Sequence, residues 1–287
     1  MTRLNIHKTY KIFIGGKFPR TESGRYYPIN NAKGEPLANM CQSSKKDFQN
    51  AVVAARKAQG GWVGMTAYNR SQILYRLAEM LETRSASFIE ELNVLGLSKK
   101  AAEKEVNASI DRLVYYAGWC DKYTALFSSV NPTATSHFNF SVHEPTGVVA
   151  AIAPEKSSLL GLISVIAPVI AGGNSVIALA SETKATSSIS FAEVVQNSDV
   201  PAGVISILTG SASELMPHMA SHMDVNSLVD ARGEMKAAEL NITNNVKRYL
   251  NWANKVSNQD PYLILDCQEV KTTWHPVQTS AASGAGY

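Results

Sequence analysis

Glu144-Pro145-Thr146-Gly147-Val148-Val149-Ala150-Ala151-Ile152-Ala153-Pro154 reads as an apolar strand that leaves a Pro-Thr-Gly turn. A 13-residue apolar segment, Leu159 to Ala171, comes next, and Gly172-Gly173-Asn174-Ser175-Val176-Ile177 opens a second apolar run. Unbroken apolar runs mark strands covered on both faces, the condition of a parallel sheet between helix layers. The same rhythm predicts strands at Gly147–Ala153, Ser175–Ala180, Val204–Leu208 and Val225–Val229. Helices are predicted between them at Leu159–Ala171, Ser187–Gln196 and Glu214–Ser221. Residues 145–230 are therefore expected to form an α/β, Rossmann-like layer.

Upstream, Lys11-Ile12-Phe13-Ile14, the turn residues Gly15-Gly16 and a second extended run before Pro28 predict a hairpin over Tyr10–Tyr27. Ser44-Lys45-Lys46-Asp47 is a capping box with Asp in place of Glu, and Phe48, Val52, Ala55 and Ala58 follow at helical spacing. A second helix carries Ile73, Leu74, Leu77 and Leu81 on one face. A third, from Lys99 to Phe127, carries the stripe Val106, Ile110, Leu113, Val114 and Ala117, read as a core face. His137–Glu144 alternates, with Phe138, Phe140 and Val142 pointing one way, as a half-exposed strand does.

After Asp230 the rhythm breaks. Met235–Lys255 is mixed and expected to be partly helical, and Glu269–Trp274 is a short β-prone strand stopped by Pro276. The Ser-, Ala- and Gly-rich residues 279–287 are expected to be disordered.

Bulk properties narrow the class. An apolar fraction of 45% and a charged fraction of 18% suit a globular protein. A net charge of +3 without a Lys/Arg run argues against nucleic acid. The longest apolar stretch contains Pro168 and is shorter than the roughly 20 residues a bilayer crossing needs, so no membrane role is expected. Met1 to Gly16 is interrupted by Asn5, His7, Lys8 and Lys11 and does not read as a secretory signal. Cys41, Cys120 and Cys267 are odd in number, far apart and without partners at metal spacing, which suits reduced thiols in the cytoplasm.

Several segments, in order, resemble aldehyde dehydrogenases. They are Ile14-Gly15-Gly16-Lys17-Phe18, Ile110-Asp111-Arg112-Leu113-Val114-Tyr115-Tyr116-Ala117-Gly118-Trp119, Pro145–Val149, Gly173–Ile177 and His222-Met223-Asp224-Val225. The ending, Asn245-Val246-Lys247-Arg248-Tyr249 followed by Glu269-Val270-Lys271-Thr272-Thr273-Trp274-His275-Pro276, resembles the non-catalytic C-terminal half of family 16 aldehyde dehydrogenases. The resemblance implies a Rossmann-type parallel sheet with N-terminal helices and a β oligomerisation arm. It implies a degenerate cofactor-binding-type domain over 1–255, interrupted by an oligomerisation strand at 137–144. A C-terminal oligomerisation strand over 256–278 and a tail over 279–287 follow. The family's catalytic domain, which carries a nucleophilic cysteine, is expected to be absent, because only 57 residues follow Asp230.

Each chemical role the resemblance brings is altered in this chain. A nucleophilic thiol needs thiolate character and a nearby base, and neither Cys120 nor Cys267 has the family's Gly-Gln context. The Trp-Asn expected after the first strand's proline, an oxyanion donor, is replaced by Glu155-Lys156-Ser157-Ser158. The family's ribose-binding Lys and Glu fall on Leu179 and Glu182, so Glu182 is a vestigial cofactor contact and leucine offers no hydrogen bond. Gly210-Ser211-Ala212-Ser213-Glu214 stands where a glycine-rich stretch approaches adenine. Asp230-Ala231-Arg232-Gly233-Glu234 stands in place of a Thr-Gly-Ser phosphate cradle, with Arg232 partly offsetting the acids.

The assembly residues Phe138, Phe140, Val142, Val270, Thr272 and Trp274 are retained. A two-stranded arm alone in water is marginal, so strand addition by a partner is expected. The expected function is a non-catalytic subunit without cofactor, catalytic residue or metal, assembling as a homo-oligomer, with a full-length aldehyde dehydrogenase, or both. The alternative is an NAD(P)-dependent aldehyde oxidoreductase, or a subunit of one. A ligand sensor with a pocket near Glu155, Lys156 and Glu182 ranks third.

Overall fold

The computed structural model describes residues 7–233, 242–243 and 245–277. It opens with β1 (Lys8–Tyr10), β2 (Tyr26–Asn30) and β3 (Pro36–Cys41). The helices α1 (Lys45–Gly64), α2 (Ala67–Thr83), α3 (Ser85–Val94), α4 (Lys99–Trp119) and α5 (Lys122–Phe127) follow. Next come β4 (Ser129–Asn131), β5 (His137–Pro145), β6 (Val148–Ile152), α6 (Leu160–Ala171), β7 (Ser175–Leu179) and α7 (Thr186–Gln196). The last are β8 (Ile205–Leu208), α8 (Ala212–Ser221), β9 (Ser227–Asp230), β10 (Arg248–Asn251), α9 (Tyr262–Asp266) and β11 (Gln268–Pro276).

The apolar runs form one parallel sheet in the order β10-β9-β6-β7-β8. Strand alternation divides its side chains between two cores. Val149, Ala151, Val176, Ala178, Ile207 and Val229 join the cluster built from α2, α4, α6 and α7. Val148, Ala150, Ile152, Ile177, Leu179 and Leu228 join a second cluster with Phe48, Val52, Leu215 and Met219 from α1 and α8. Each fully buried Val, Leu or Ile in these layers contributes on the order of 1.5–3 kcal/mol, which is why apolar residues dominate the runs. At the entrance to β6, Gly147 has φ +124°, and a Cβ there would lie 2.5 Å from Asn226 Oδ1. That oxygen accepts the Val148 amide at 3.0 Å, so the turn has room for glycine only.

The capping box holds. Ser44 accepts the Asp47 amide, while buried Asp47 accepts the Ser44 amide and the Thr21 hydroxyl at 2.7 and 2.6 Å. The predicted helix at 99–127 is two, because α4 ends at Trp119 and α5 begins at Lys122. Of its stripe, Val106, Leu113 and Ala117 are buried, but Val114 is 42% exposed and Ile110 only partly covered. Tyr116 and Arg112 fill the inner face instead, and α3 is a helix the periodicity did not predict.

The hairpin predicted over Tyr10–Tyr27 is also different. Ile14 and Lys17 close a tight turn at Gly15-Gly16, yet no strand pair extends from it. Phe13 instead exchanges both backbone hydrogen bonds with Ile207 and covers the edge of β8, while β2 and β3 form the antiparallel pair and β1 adds in parallel. Arg248–Asn251, within a stretch expected to be mixed, is the fifth parallel strand. Residues 235–241 and 244 of that stretch, and the 279–287 tail, lie outside the described residues. Among the described residues no helix is long and apolar enough to cross a membrane.

β4, β5 and β11 form a separate antiparallel sheet in the order β11-β5-β4. The final strand runs from Gln268 to Pro276, longer than Glu269–Trp274 but ending at Pro276 as expected, and pairs with β5 through all nine positions. Within β5 the polar Asn139 is the buried residue and Phe138 is 47% exposed, so the apolar side of the strand is the outer one.

Candidate functional site

β6 sits at the centre of the sheet, with β7 on one side and β9 on the other. The crevice outside their carboxyl ends is the place where open α/β sheets take ligands. The loops leaving β6, β7 and β9 carry the candidate residues Glu155, Glu182, Asp230 and Arg232 to that one crevice.

Among the described residues, seven backbone amides around the crevice donate to carboxylates of the chain itself. Asp230, fully buried, accepts the amides of Arg232 and Gly233 at 2.8 and 2.9 Å and the Tyr249 hydroxyl at 2.7 Å. Glu182 accepts the Ala212 amide at the start of α8 at 2.6 Å. Glu155 accepts the amides of Glu182 and Thr183 at 2.9 and 2.8 Å, with the hydroxyls of Ser181 and Thr183 at 2.9 and 2.6 Å. Glu105, reaching from α4, accepts the Leu159 and Leu160 amides before α6 at 3.1 and 3.3 Å. Burial works to raise the Glu155 pKa, but its hydroxyl and amide donors outweigh that and hold it below the usual carboxylate range.

Arg232 crosses the crevice and its side chain is only 6% exposed. Nε donates to the Ala153 carbonyl at 2.9 Å and Nη2 to the Ala180 carbonyl at 3.1 Å. The guanidinium pairs with Glu155 at 3.1 Å and Glu182 at 3.2 Å. These contacts tie together the ends of β6, β7 and β9.

The residues do not fit a dinucleotide. A pyrophosphate binds at free helix-start amides, and here the Leu159, Leu160 and Ala212 amides face Glu105 and Glu182. Leu179 is a fully buried strand residue, and Glu182 is committed to Ala212 and Arg232. At Gly210, with φ +134°, a Cβ would lie 3.0 Å from the Ser43 amide, so the segment after β3 closes over this turn. A cavity of about 460 Å³ lies beside Glu182, lined by Tyr27, Ile29, Asn30, Gln42, Thr183 and Ser211.

All three thiols are buried. Burial pushes Cys120 up to about 12 and raises Cys267 strongly. The Cys120 thiol donates to the Tyr116 carbonyl at 3.4 Å, and among the described residues no base is hydrogen-bonded to a thiol. Thiols in this state are poor nucleophiles. Among the described residues no group of three or more His, Cys, Asp or Glu could hold a metal ion. Lys156 is exposed while the Glu155 side chain turns inward, so the adjacent pair does not share a site.

The six arm residues come together in one sheet but on two faces. Phe138, Phe140 and Val142 lie opposite His275, Thr273 and Lys271, whereas Trp274, Thr272 and Val270 lie opposite Asn139, Ser141 and His143. Directly paired residues share a face, so the two apolar sets point in opposite directions. Val130 adds to the Phe138 face, where the Phe138 and Phe140 rings are 5.6 Å apart. The other face carries the Ser141–Thr272 hydroxyl contact at 2.8 Å and Trp274 edge-on to His137.

Sequence reasoning placed Arg232 near the crevice only as a charge offset and did not select Glu105 or Tyr249. The signal was an arginine two residues after β9, with a glutamate three residues after each of β6 and β7. No periodicity expresses that.

A profile of the aldehyde dehydrogenase family matches residues 18–286. The chain is 33% identical over 232 residues to retinal dehydrogenase 2 of Gallus gallus, covering 78% of this chain and 44% of that protein. It is 31% identical over 221 residues to an aldehyde dehydrogenase of Aspergillus niger, covering 76% and 44%. Among solved structures, the NAD-dependent aldehyde dehydrogenase of Sinorhizobium meliloti superposes with a TM-score of 0.79 at 24% identity, over 85% of this chain and 50% of that one. The chain spans about half the length of these relatives.

Proposed function

The chain belongs to the aldehyde dehydrogenase family, and on that premise we propose that it is a non-catalytic subunit, assembling with itself, with an active aldehyde dehydrogenase, or with both, as a structural or regulatory partner. Membership supports a function of dehydrogenase type. The observation that carries the finer reading is the self-satisfied crevice, in which loop amides, carboxylates and an arginine are all bound to one another. The buried thiols and the short span from Ala231 to Cys267 between β9 and β11 agree with it. The arm supports the partner, because Val130, Phe138, Val270 and Trp274 are 69, 47, 61 and 59% exposed on a three-stranded sheet. Apolar side chains on both faces of a sheet gain from being covered by another surface.

Size-exclusion chromatography with light scattering, alone and with a full-length aldehyde dehydrogenase, tests the proposal. A mass above the 31.1 kDa protomer, or co-elution with the enzyme, is expected. A strict monomer that ignores the enzyme refutes it. The second reading, an NAD(P)-dependent oxidoreductase or part of one, draws on the strand order and its central crevice. Aldehyde oxidation by the purified chain in proportion to added NAD(P)+ would establish it.

A further inference from the structure

The loops after β6 and β7 build a cage for a planar cation. Four acceptors converge on one point, the carbonyls of Ala153 and Ala180 and the carboxylates of Glu155 and Glu182, at 2.9 to 3.2 Å from the Arg232 guanidinium. A guanidinium has five N–H donors in a rigid plane and can serve all four, whereas an ammonium is a compact point with three donors. The cage is braced without Arg232. Glu155 is held by Ser181, Thr183 and the Glu182 amide, and Glu182 by the Ala212 amide. At 6% exposure the guanidinium is largely withdrawn from water, which is tolerated because two opposite charges and two carbonyls surround it.

We infer that Glu155, Glu182 and the carbonyls of Ala153 and Ala180 form a guanidinium-binding site filled by the chain's own Arg232, which closes the switch-point crevice to a dinucleotide. The inference rests on the crevice described under the proposed function, but not on assembly through the arm. It separates two consequences of losing Arg232. Phosphate binding does not return, since Glu155, Glu182 and Asp230 remain to repel it. A vacancy for a free guanidinium is created.

The test compares the full chain with Arg232→Ala by thermal shift, adding methylguanidinium chloride to about 10 mM against equal sodium chloride and methylammonium chloride. Methylguanidinium is expected to raise the Tm of Arg232→Ala by roughly 2–4 °C and to leave the unsubstituted chain unmoved. Adding Glu155→Gln to Arg232→Ala should remove the response. NAD+ and NADP+ at about 1 mM should raise the Tm of neither protein. An equal response from both proteins, or an equal response to methylammonium, overturns the site. A Tm rise of the unsubstituted chain with either dinucleotide overturns the closure. If Arg232→Ala is recovered only as aggregate, refolding yield decides, with a higher yield in methylguanidinium supporting the site and an equal yield overturning it. Co-elution with a dehydrogenase is measured separately, so the assembly reading can fail while the site stands, and the reverse.

Discussion

At the scale of single residues the chain spends its charges on internal ties. Arg112, 4% exposed, donates to Ser164 Oγ and to the carbonyls of Val256, Ser257 and Asn258 at 2.9 to 3.0 Å. Tyr116, one turn on, donates to the Asp260 carbonyl at 3.1 Å, so α4 fastens the segment before α9. Arg112→Ala would strand those carbonyls and is expected to cost about 3 kcal/mol in urea unfolding, with Arg112→Lys recovering only part. Glu155 carries a pH signature. Its folded pKa is lowered, so its stabilisation is complete above the unfolded value of about 4.3 and is lost as pH falls through the folded value. The Tm gap between the unsubstituted chain and Glu155→Gln should therefore be widest near neutrality and close below about pH 4. The buried thiols predict silence toward a disulfide reagent such as DTNB at pH 8 in the native state. All three cysteines should react after denaturation.

At the scale of elements the arm is the telling piece. Alternation in His137–Glu144 identified which residues share a side, since neighbours two apart always do. It could not say which side meets the chain's own core. The burial of Asn139 beside the Asn131 amide, 2.5 Å from its carbonyl oxygen, turns the phenylalanines outward. The register with β11 then places Trp274 on the opposite face, a pairing across more than 130 residues that no local pattern encodes. Substitutions should divide accordingly. If the Phe138 face is the interface, Phe138→Ser with Phe140→Ser should lower the assembled mass in light scattering, while Trp274→Ser leaves it unchanged. Equal loss from both would mean that both faces are covered.

At the scale of the whole molecule, two cores enclose a sheet whose β6, β7, β8 and β9 residues are all buried. The arm stands apart from those cores, with β11 and β4 as its edges. Hydrogen exchange should therefore be slowest in β6, β7 and β9 and faster in the arm, with arm protection rising at higher protein concentration if copies of the chain associate. A Tm independent of concentration over about a hundredfold range would argue against self-assembly but not against a different partner. The α/β layer was legible from residues 145–230 because a strand covered on both faces is mostly apolar, a signal written locally even though Ser175, Ser206, Ser227 and Asp230 are buried among the apolar residues. The break between α4 and α5, the position of α3 and the docking of Phe13 on β8 were not, since each depends on what packs beside the segment. By itself the chain's residue order determined the family resemblance, four of the sheet's five strands and the altered residues at each chemical position. Only the tertiary structure decided that Asp230, Glu182 and Glu155 occupy the anion-binding amides and that Arg232 lies between two of them. Charges far apart in sequence declare their partners only when folding brings them within a few ångströms, where desolvation forces each to find one.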